Sequence, residues 1–108
     1  EDPLNYALVI LDPPAFAKKR DDISQASNGY REINRRVLEK LPSGSFLLTC
    51  SCSHFIDGQK FEAILFQASM ETGRNIEILS RHRQALDHPE SIHHPEGNYL
   101  KSLLLYVL

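Results

Sequence analysis

The sequence predicts an α/β fold in which helices pack on a mostly parallel β-sheet. Its first apolar run, YALVIL at 6–11, shows no alternation of apolar and polar residues, which is typical of a strand covered on both faces. From 28 to 41 the apolar residues instead recur with helical periodicity. Strands and helices then alternate, and that alternation implies right-handed crossovers between parallel strands.

The first part of the chain contains one strand and one helix. The strand at 6–11 is followed by a loop at 13–27 that is rich in proline, charged residues and serine. One face of the helix at 28–41 carries its apolar residues, which are Tyr30, Ile33, Val37, Leu38 and Leu41. Pro42 and Gly44 follow directly and end this helix.

The rest of the chain supplies a second helix and the remaining strands. SFLLTC at 45–50 and NIEILS at 75–80 are the second and third strands. Between them, Asp57 is the expected N-cap of a helix that ends before Gly73. The apolar stripe of that helix comprises Phe61, Ile64, Leu65 and Ala68. LKSLLLYVL at 100–108 follows a loop without a helical pattern, so we expect a last strand antiparallel to the third that fills an interior gap.

Composition limits the class of protein. The chain has 108 residues, of which 42% are hydrophobic and 24% charged, and a formal charge of −2. These values are ordinary for a globular domain and give no whole-chain attraction to nucleic acid, so any basic surface must be local. No apolar run approaches the roughly 18 residues that span a bilayer. Two cysteines only two positions apart make no disulfide framework, which favours a reduced, cytoplasmic protein.

Three loops are expected to share one edge of the sheet, because ligands in open α/β sheets bind beyond the carboxyl ends of the parallel strands. These loops are 12–22, 51–57 and 81–98. The predicted cleft therefore brings the Asp12 loop next to the Cys52 loop. The sequence contains no G-x-G-x-x-G, and four strands with two helices leave one edge and one face of a sheet uncovered. We therefore expect the chain to be part of a longer domain.

Four segments in order carry a resemblance to a known family: LDPPAF, GYREINRRVL, LLTCSCSH, and DHPE with HPEGNYLKSLLLYV. Together they resemble the C-terminal half of the catalytic domain of class I S-adenosylmethionine-dependent methyltransferases. More closely, they are similar to the bacterial 23S ribosomal-RNA cytosine-C5 methyltransferases of the RlmI type. The resemblance implies a partial Rossmann-like sheet: residues 1–108 would supply the fourth to seventh strands of the order 3-2-1-4-5-7-6, the seventh antiparallel.

The resemblance also implies a cofactor and partners. S-adenosyl-L-methionine would be the methyl donor, and its glycine-rich loop, like any PUA domain, would lie upstream of Glu1. Ribosomal RNA and the upstream half of the same catalytic domain are the implied partners, with a homodimer as a further expectation and no membrane. On this interpretation the isolated piece is inactive and binds the methyl donor weakly.

Cys52 and Asp12 are the catalytic residues that the resemblance implies. Cytosine C5 is a poor nucleophile, and addition of a thiolate to C6 activates it. Cys52 matches the family's T-x-S-C-S position for that thiolate, whereas Cys50 is interpreted as a small buried hydrophobe. Asp12 would lie beside the methyl donor and the base. Pro13 and Pro14 would complete that donor site, and because prolines fix φ and have no N–H, their rigid carbonyls could also accept a hydrogen bond from an exocyclic amine.

The loop after the two prolines is the predicted substrate-binding segment. Phe16 would stack on a flipped-out base, although a lone loop phenylalanine also serves as a core plug. The cations that follow would meet phosphates flanking the target, with a solvated loop as the alternative; they are Lys18, Lys19 and Arg20. Arg31, Arg35 and Arg36 are interpreted as a solvated helix face.

Two other functions remain open from the sequence. Guanine methylation on the same fold needs no thiol, and a non-catalytic α/β interaction module would need neither Asp12 nor Cys52. No metal is expected, since the spacing of the histidines in DHPESIHHPEG matches no zinc pattern.

Overall fold

A computed structural model describes residues 8–14, 23–52, 56–85 and 99–108. Its elements, in chain order, are β1 (Leu8–Leu11), α1 (Ile23–Lys40), β2 (Ser45–Ser51), α2 (Gly58–Thr72), β3 (Ile76–Ala85) and β4 (Tyr99–Val107). The side chains of residues 83–85 and 99 are outside this description.

The strands form one sheet in the order β1-β2-β4-β3. β1 and β2 are parallel, and β4 runs antiparallel to both of its neighbours, β2 and β3. The prediction that the last strand enters an interior gap, antiparallel to the third, is therefore confirmed. The order is that of the fourth, fifth, seventh and sixth strands in the sheet that the resemblance implied.

Both helices pack on one face of the sheet. On β2 the alternate residues Ser45, Leu47 and Thr49 face the helices and are at most 2% exposed. The predicted helix stripes supply the other side of the core, and the ring of Tyr30 meets that of Phe61 edge-on at 5.9 Å between centroids. The predicted apolar stripe of α2 is buried, and it consists of Phe61, Ile64, Leu65 and Ala68.

The boundaries of α2 follow from its caps. The side chain of Asp57 accepts a hydrogen bond from the backbone N–H of Lys60 at 2.8 Å, as expected of an N-cap. Gly73 ends the helix with φ 72°. This left-handed conformation is energetically unfavourable for residues that have a Cβ atom. Both predicted caps are confirmed.

Two predicted boundaries are wrong. α1 begins at Ile23 rather than 28, and Ala26 is fully buried one turn before Tyr30. The residues around Ala26 are polar, so the helical pattern of apolar residues does not extend into this first turn. β3 continues to Ala85, where the sequence placed a loop from 81 onward. Its pairing with β4 persists to Tyr99, and a β-bulge between Ile78 and Ser80 interrupts the alternation that would have revealed it.

In the described part of the chain, the other face of the sheet, which we call the open face, is exposed at β1. Leu8 and Ile10 of β1 are 52% and 62% exposed, although the sequence of this strand is that of a buried one. Phe46 and Leu48 lie opposite them on β2 and are only partly buried. The predicted uncovered edge and face are therefore both found at β1. Neither helix of the described residues has the length and apolar character that a membrane span requires.

Candidate functional site

The loops after β1 and β2 leave the sheet side by side. The two strands are parallel, and Leu11 lies opposite Thr49. Asp12 follows Leu11 directly, so it comes next to Cys50, with Cys52 two residues further along β2 and just past its end. The structure thus brings Asp12 and Cys52 to the same edge of the sheet.

Asp12 and Cys50 also share a face of the sheet. Side chains alternate along strands, and Leu8 and Ile10 face away from the helices together with Phe46 and Leu48. The same alternation, carried one step further, places Asp12 and Cys50 on this open face. A rim is formed where the open face meets the carboxyl ends of β1 and β2, and we call it the Asp12–Cys52 rim.

The closeness of these groups has an electrostatic consequence for Cys50. Burial raises the pKa of the Cys50 thiol, and the negative charges of Asp12 and of an ionised Cys52 raise this pKa further. Cys50 is 6% exposed, whereas Cys52 is only partly buried. Cys50 therefore remains a neutral thiol at neutral pH, which agrees with its interpretation as a small buried hydrophobe. Of the two sulfurs, the one at Cys52 is the more accessible to a ligand.

The two prolines after Asp12 differ in their surroundings. Pro13 is buried and Pro14 is exposed, as is Asp12 itself. Within the described ranges, no cation forms an ion pair with the Asp12 carboxylate. Because proline has no N–H, the polar groups at the end of β1 are carbonyl oxygens and one carboxylate, which together suit a cationic or hydrogen-bond-donating ligand.

The predicted substrate-binding residues lie outside the described residues, and their roles stay predictions. They are Phe16, Lys18, Lys19 and Arg20. The same holds for most of the predicted histidine loop. In the portions of the chain that are described, no group of three His, Cys, Asp or Glu side chains could hold a metal ion.

The arginines of α1 are engaged with carboxylates on the protein surface. Arg31 pairs with Glu71 at 2.9 Å, and Arg35 pairs with Glu39 at 2.7 Å. Hydrogen bonds from Arg35 and then from Arg36 hold the pKa of the Glu32 carboxyl below its ordinary value. These contacts agree with the interpretation of the arginines as a helix face rather than as a phosphate site.

Two buried polar features lie on the helix side of β2, next to the strand end that carries Cys52; sequence reasoning missed the first of them, whereas for the second the resemblance matched Lys101 to a family segment expected to shape the cleft wall. Asn34 and Thr49 are both fully buried, and the Thr49 hydroxyl donates to Asn34 Oδ1 at 2.7 Å. Lys101 is 5% exposed, and its Cα lies opposite that of Ser51, the residue before Cys52. Lys101 is also the only charged residue in the apolar run LKSLLLYVL.

The fold is that of a class I, Rossmann-like methyltransferase sheet. The chain superposes on SMU.776, described as a methyltransferase and solved complexed with SAH, with a TM-score of 0.70 at 21% identity, over 94% of this chain and 26% of that chain. It superposes equally well on a protein from Streptococcus mutans described as a SAM-dependent methyltransferase, with a TM-score of 0.69 at 19% identity, over 94% of this chain and 25% of the other.

Sequence comparison is more specific. The chain is 40% identical, over 103 residues, to the ribosomal RNA large subunit methyltransferase I of Vibrio vulnificus, and 37% identical to the protein of the same name from Pseudoalteromonas atlantica. Each match covers 95% of this chain and 26% of the relative, so the chain spans about a quarter of the length of these proteins. No protein-family model matches the sequence. The predicted resemblance is confirmed: over 95% of its length, this chain is similar to a segment of ribosomal RNA large subunit methyltransferase I.

Proposed function

We propose that this chain is the substrate-side part of the catalytic domain of an RNA methyltransferase, and that the complete protein transfers a methyl group to cytosine C5 in large-subunit ribosomal RNA. The observation that carries the proposal is the Asp12–Cys52 rim: a carboxylate and a partly buried thiol lie at the carboxyl ends of two adjacent parallel strands, the edge at which open α/β sheets usually bind ligands. The homology to large-subunit methyltransferases supports the choice of ribosomal RNA as the substrate.

Cys52 is the proposed nucleophile. Its thiolate adds to C6 of the flipped-out cytosine, which makes C5 nucleophilic enough to accept a methyl group. Loss of the C5 proton then restores the aromatic ring, breaks the bond between sulfur and C6, and releases the Cys52 thiolate. Cys50 does not take this role, because its burial and the charge of Asp12 keep it protonated.

Asp12 is the proposed partner of the base. Its exposed carboxyl group lies on the same rim as the thiol and hydrogen-bonds the polar edge of the cytosine. When the thiolate adds to C6, negative charge develops at N3, and a proton held between Asp12 and N3 neutralises that charge. Asp12 thereby also fixes the orientation in which C6 faces the Cys52 sulfur.

The end of β1 also fits the implied methyl donor. S-adenosyl-L-methionine, when bound, supplies a methyl group on a positively charged sulfur. The carbonyl oxygens of Pro13 and Pro14 and the carboxyl group of Asp12 carry oxygen atoms with partial negative charge, which complement that positive charge. These three residues would hold the donor on this side of the cleft, with the remainder of its site supplied by the upstream half of the domain.

The upstream half of the same domain is the proposed occupant of the open face. Leu8 and Ile10 are more than half exposed there, next to the partly buried Phe46 and Leu48. An apolar surface of this kind on a sheet is normally covered by another part of the fold. The relatives are about four times as long as the matched segment, so they contain the chain length needed to cover it.

The proposal is tested by substitution in the full-length protein, with methylated nucleosides identified by mass spectrometry. Cys52→Ala should abolish formation of 5-methylcytidine by at least about a thousandfold, since the nucleophile itself is removed. Cys50→Ala is the matched control two residues away and should keep activity within about threefold. Asp12→Asn should lower kcat by about a hundredfold or more. Methylated guanine that persists in Cys52→Ala would instead support guanine methylation without a thiol.

A further inference from the structure

α2 carries a second apolar stripe that the core does not use. Ala63, Phe66 and Met70 recur at intervals of three and four residues, which places them on one face of the helix, and all three are exposed. Phe66 and Met70 are 63% and 65% exposed, more than any other large hydrophobic residue in the described ranges. Apolar residues at this spacing form the seam along which two helices pack. We call these three residues the outer stripe of α2.

A cavity adjoins the outer stripe. It has a volume of about 220 Å³ and opens between the C-terminal half of α2 and the start of β3, where its apolar walls are Phe66, Met70 and Ile76. The outer stripe thus offers both projecting side chains and a recess that can receive them. Interdigitated packing of one helix on another requires this combination.

The strands that complete the sheet do not cover the outer stripe. β3 corresponds to the sixth strand, the last in the order 3-2-1-4-5-7-6, so the upstream strands join at β1, which is the opposite edge. The cavity beside the outer stripe lies against β3. Completion of the sheet therefore leaves this side of α2 available for contact with another molecule.

The charges beside the outer stripe are complementary to those of a second, antiparallel copy. Lys60 in the first turn of α2 and Glu71 in the last turn lie on the same flank of the outer stripe. When two copies of α2 pack antiparallel about a two-fold axis near Phe66, Lys60 of each copy meets Glu71 of the other. Parallel packing would instead oppose like charges and align the two helix dipoles unfavourably.

Both of these charged side chains remain available for such a contact. Within the described ranges, Lys60 forms no ion pair. The Glu71 side chain contacts Arg31 but is still 35% exposed. A carboxylate can accept from more than one cation, so the contact between copies does not require the pair with Arg31 to break.

We propose that the outer stripe of α2 is a contact surface between two copies of this protein, packed antiparallel about a two-fold axis. The same surface serves both copies, so the contact closes at a dimer. α2 has 15 residues and is about 22 Å long, which gives a contact smaller than the roughly 800 Å² per partner of a standard interface. The dimer is therefore expected to dissociate in the micromolar range. It leaves the open face of the sheet uncovered, because α2 packs on the other face.

Sedimentation velocity of the full-length protein between about 1 and 100 µM measures this association. The fraction of dimer should rise over this range. Phe66→Glu should raise the dimer Kd by at least about tenfold, because it places a carboxylate in an apolar contact. Since Phe66 is exposed in the single copy, the circular dichroism spectrum should not change. The matched control is Leu79→Glu, the same kind of change at a residue of β3 that is 48% exposed, and it should alter the Kd by less than about twofold.

Carbodiimide crosslinking tests the antiparallel orientation. The reagent activates the Glu71 carboxylate, the Lys60 amine displaces it as a urea, and an amide bond joins the two side chains without a spacer. Within one copy these residues are about 16 Å apart along the helix, so the crosslink forms only between copies. Peptide mass spectrometry should find it in the parent protein and in Leu79→Glu, and should not find it in Phe66→Glu.

Three results would overturn the proposal. They are a full-length protein that stays monomeric at about 100 µM, a dimer that folded Phe66→Glu does not weaken, and a dimer that lacks the crosslink between Lys60 and Glu71. If Phe66→Glu does not fold, as judged by circular dichroism, Met70→Lys changes the same surface and carries the same expectation. A dimer weakened by Leu79→Glu instead would assign the contact to the edge of β3.

Discussion

Replacement of Thr49 by valine perturbs the buried polar pair that ties α1 to the end of β2. The Thr49 hydroxyl donates to Asn34 Oδ1 at 2.7 Å, and Asn34 Nδ2 donates to the Tyr30 carbonyl at 2.7 Å. Both side chains are inaccessible to solvent, so water cannot replace the missing donor. Valine has nearly the shape of threonine, and the change therefore isolates the hydrogen bond from packing.

The expected decrease in stability follows from Asn34 Oδ1, an acceptor that is left without its donor. A buried oxygen left without its donor costs about 1–3 kcal/mol, and we expect Thr49→Val to lower the free energy of unfolding by this amount. Asn34→Leu leaves the Thr49 hydroxyl without its acceptor and should cost a similar amount. The double variant buries neither an unpaired donor nor an unpaired acceptor. Its decrease in the free energy of unfolding should therefore be smaller than the sum of the two single decreases by about 1–2 kcal/mol.

Urea denaturation of the four proteins, followed by circular dichroism at constant m value, measures these differences. Thr72→Val is the matched control, because the Thr72 hydroxyl donates to the Ser69 carbonyl at 2.9 Å and accepts from the Arg74 N–H at 3.3 Å in a half-buried position where water can substitute for both. The control should cost less than about 1 kcal/mol. The reasoning would be refuted if Thr49→Val lowered the free energy of unfolding no more than the control does. It would also be refuted if the decreases caused by Thr49→Val and Asn34→Leu were strictly additive in the double variant.

Other substitutions test separate parts of the structure. Asp57→Ala should cost about 1 kcal/mol in urea denaturation because the N-cap of α2 is lost. Gly73→Ala should cost about 1–2 kcal/mol because φ is 72° there. Phe61→Ala should cost about 3–5 kcal/mol, since its fully buried ring fills the core between α2 and the sheet. At pH 7, iodoacetamide should modify Cys50 more slowly than Cys52, and the Cys50 rate should rise above pH 9, because burial, Asp12 and Cys52 raise its pKa. Equal rates for the two cysteines at neutral pH would contradict that ordering.

Local signals made most of the fold predictable from the sequence. The continuous apolar runs identified the strands, and Asp57 and Gly73 marked the ends of α2 through capping chemistry that depends on few neighbours. The antiparallel last strand followed from a connection without a helical pattern. Such features depend on residues close in the chain, and they were therefore predicted correctly.

The features that the sequence did not reveal depend on distant contacts. The extension of β3 to Ala85 rests on pairing with β4, across a bulge that breaks the alternation. Asn34 lies within the apolar stripe of α1, and only its contact with Thr49 explains a buried amide there. Lys101 is a single charge whose burial depends on the packing of α2 over β4.

The candidate site was predictable in its outline. Two loops that follow neighbouring parallel strands must emerge together, which is why Asp12 and Cys52 could be paired from forty residues apart. The burial of Cys50 was also predicted from the sequence, whereas the effect of the Asp12 charge on the pKa of the Cys50 thiol required the structure. Cys50 ends up on the face of β2 beside Asp12, whereas Cys52 lies just past the strand end.

Covalent trapping on the Asp12–Cys52 rim tests the central claim most directly. RNA that contains 5-fluorocytosine at the target position cannot lose a proton from C5, so the bond between sulfur and C6 persists once methyl transfer has occurred. With the full-length protein and methyl donor, we predict a protein–RNA adduct stable in denaturing gels and mapped by mass spectrometry to Cys52, retained in Cys50→Ala and absent in Cys52→Ala. A methylating protein that forms no such adduct, or one whose adduct maps to another residue, would contradict the account.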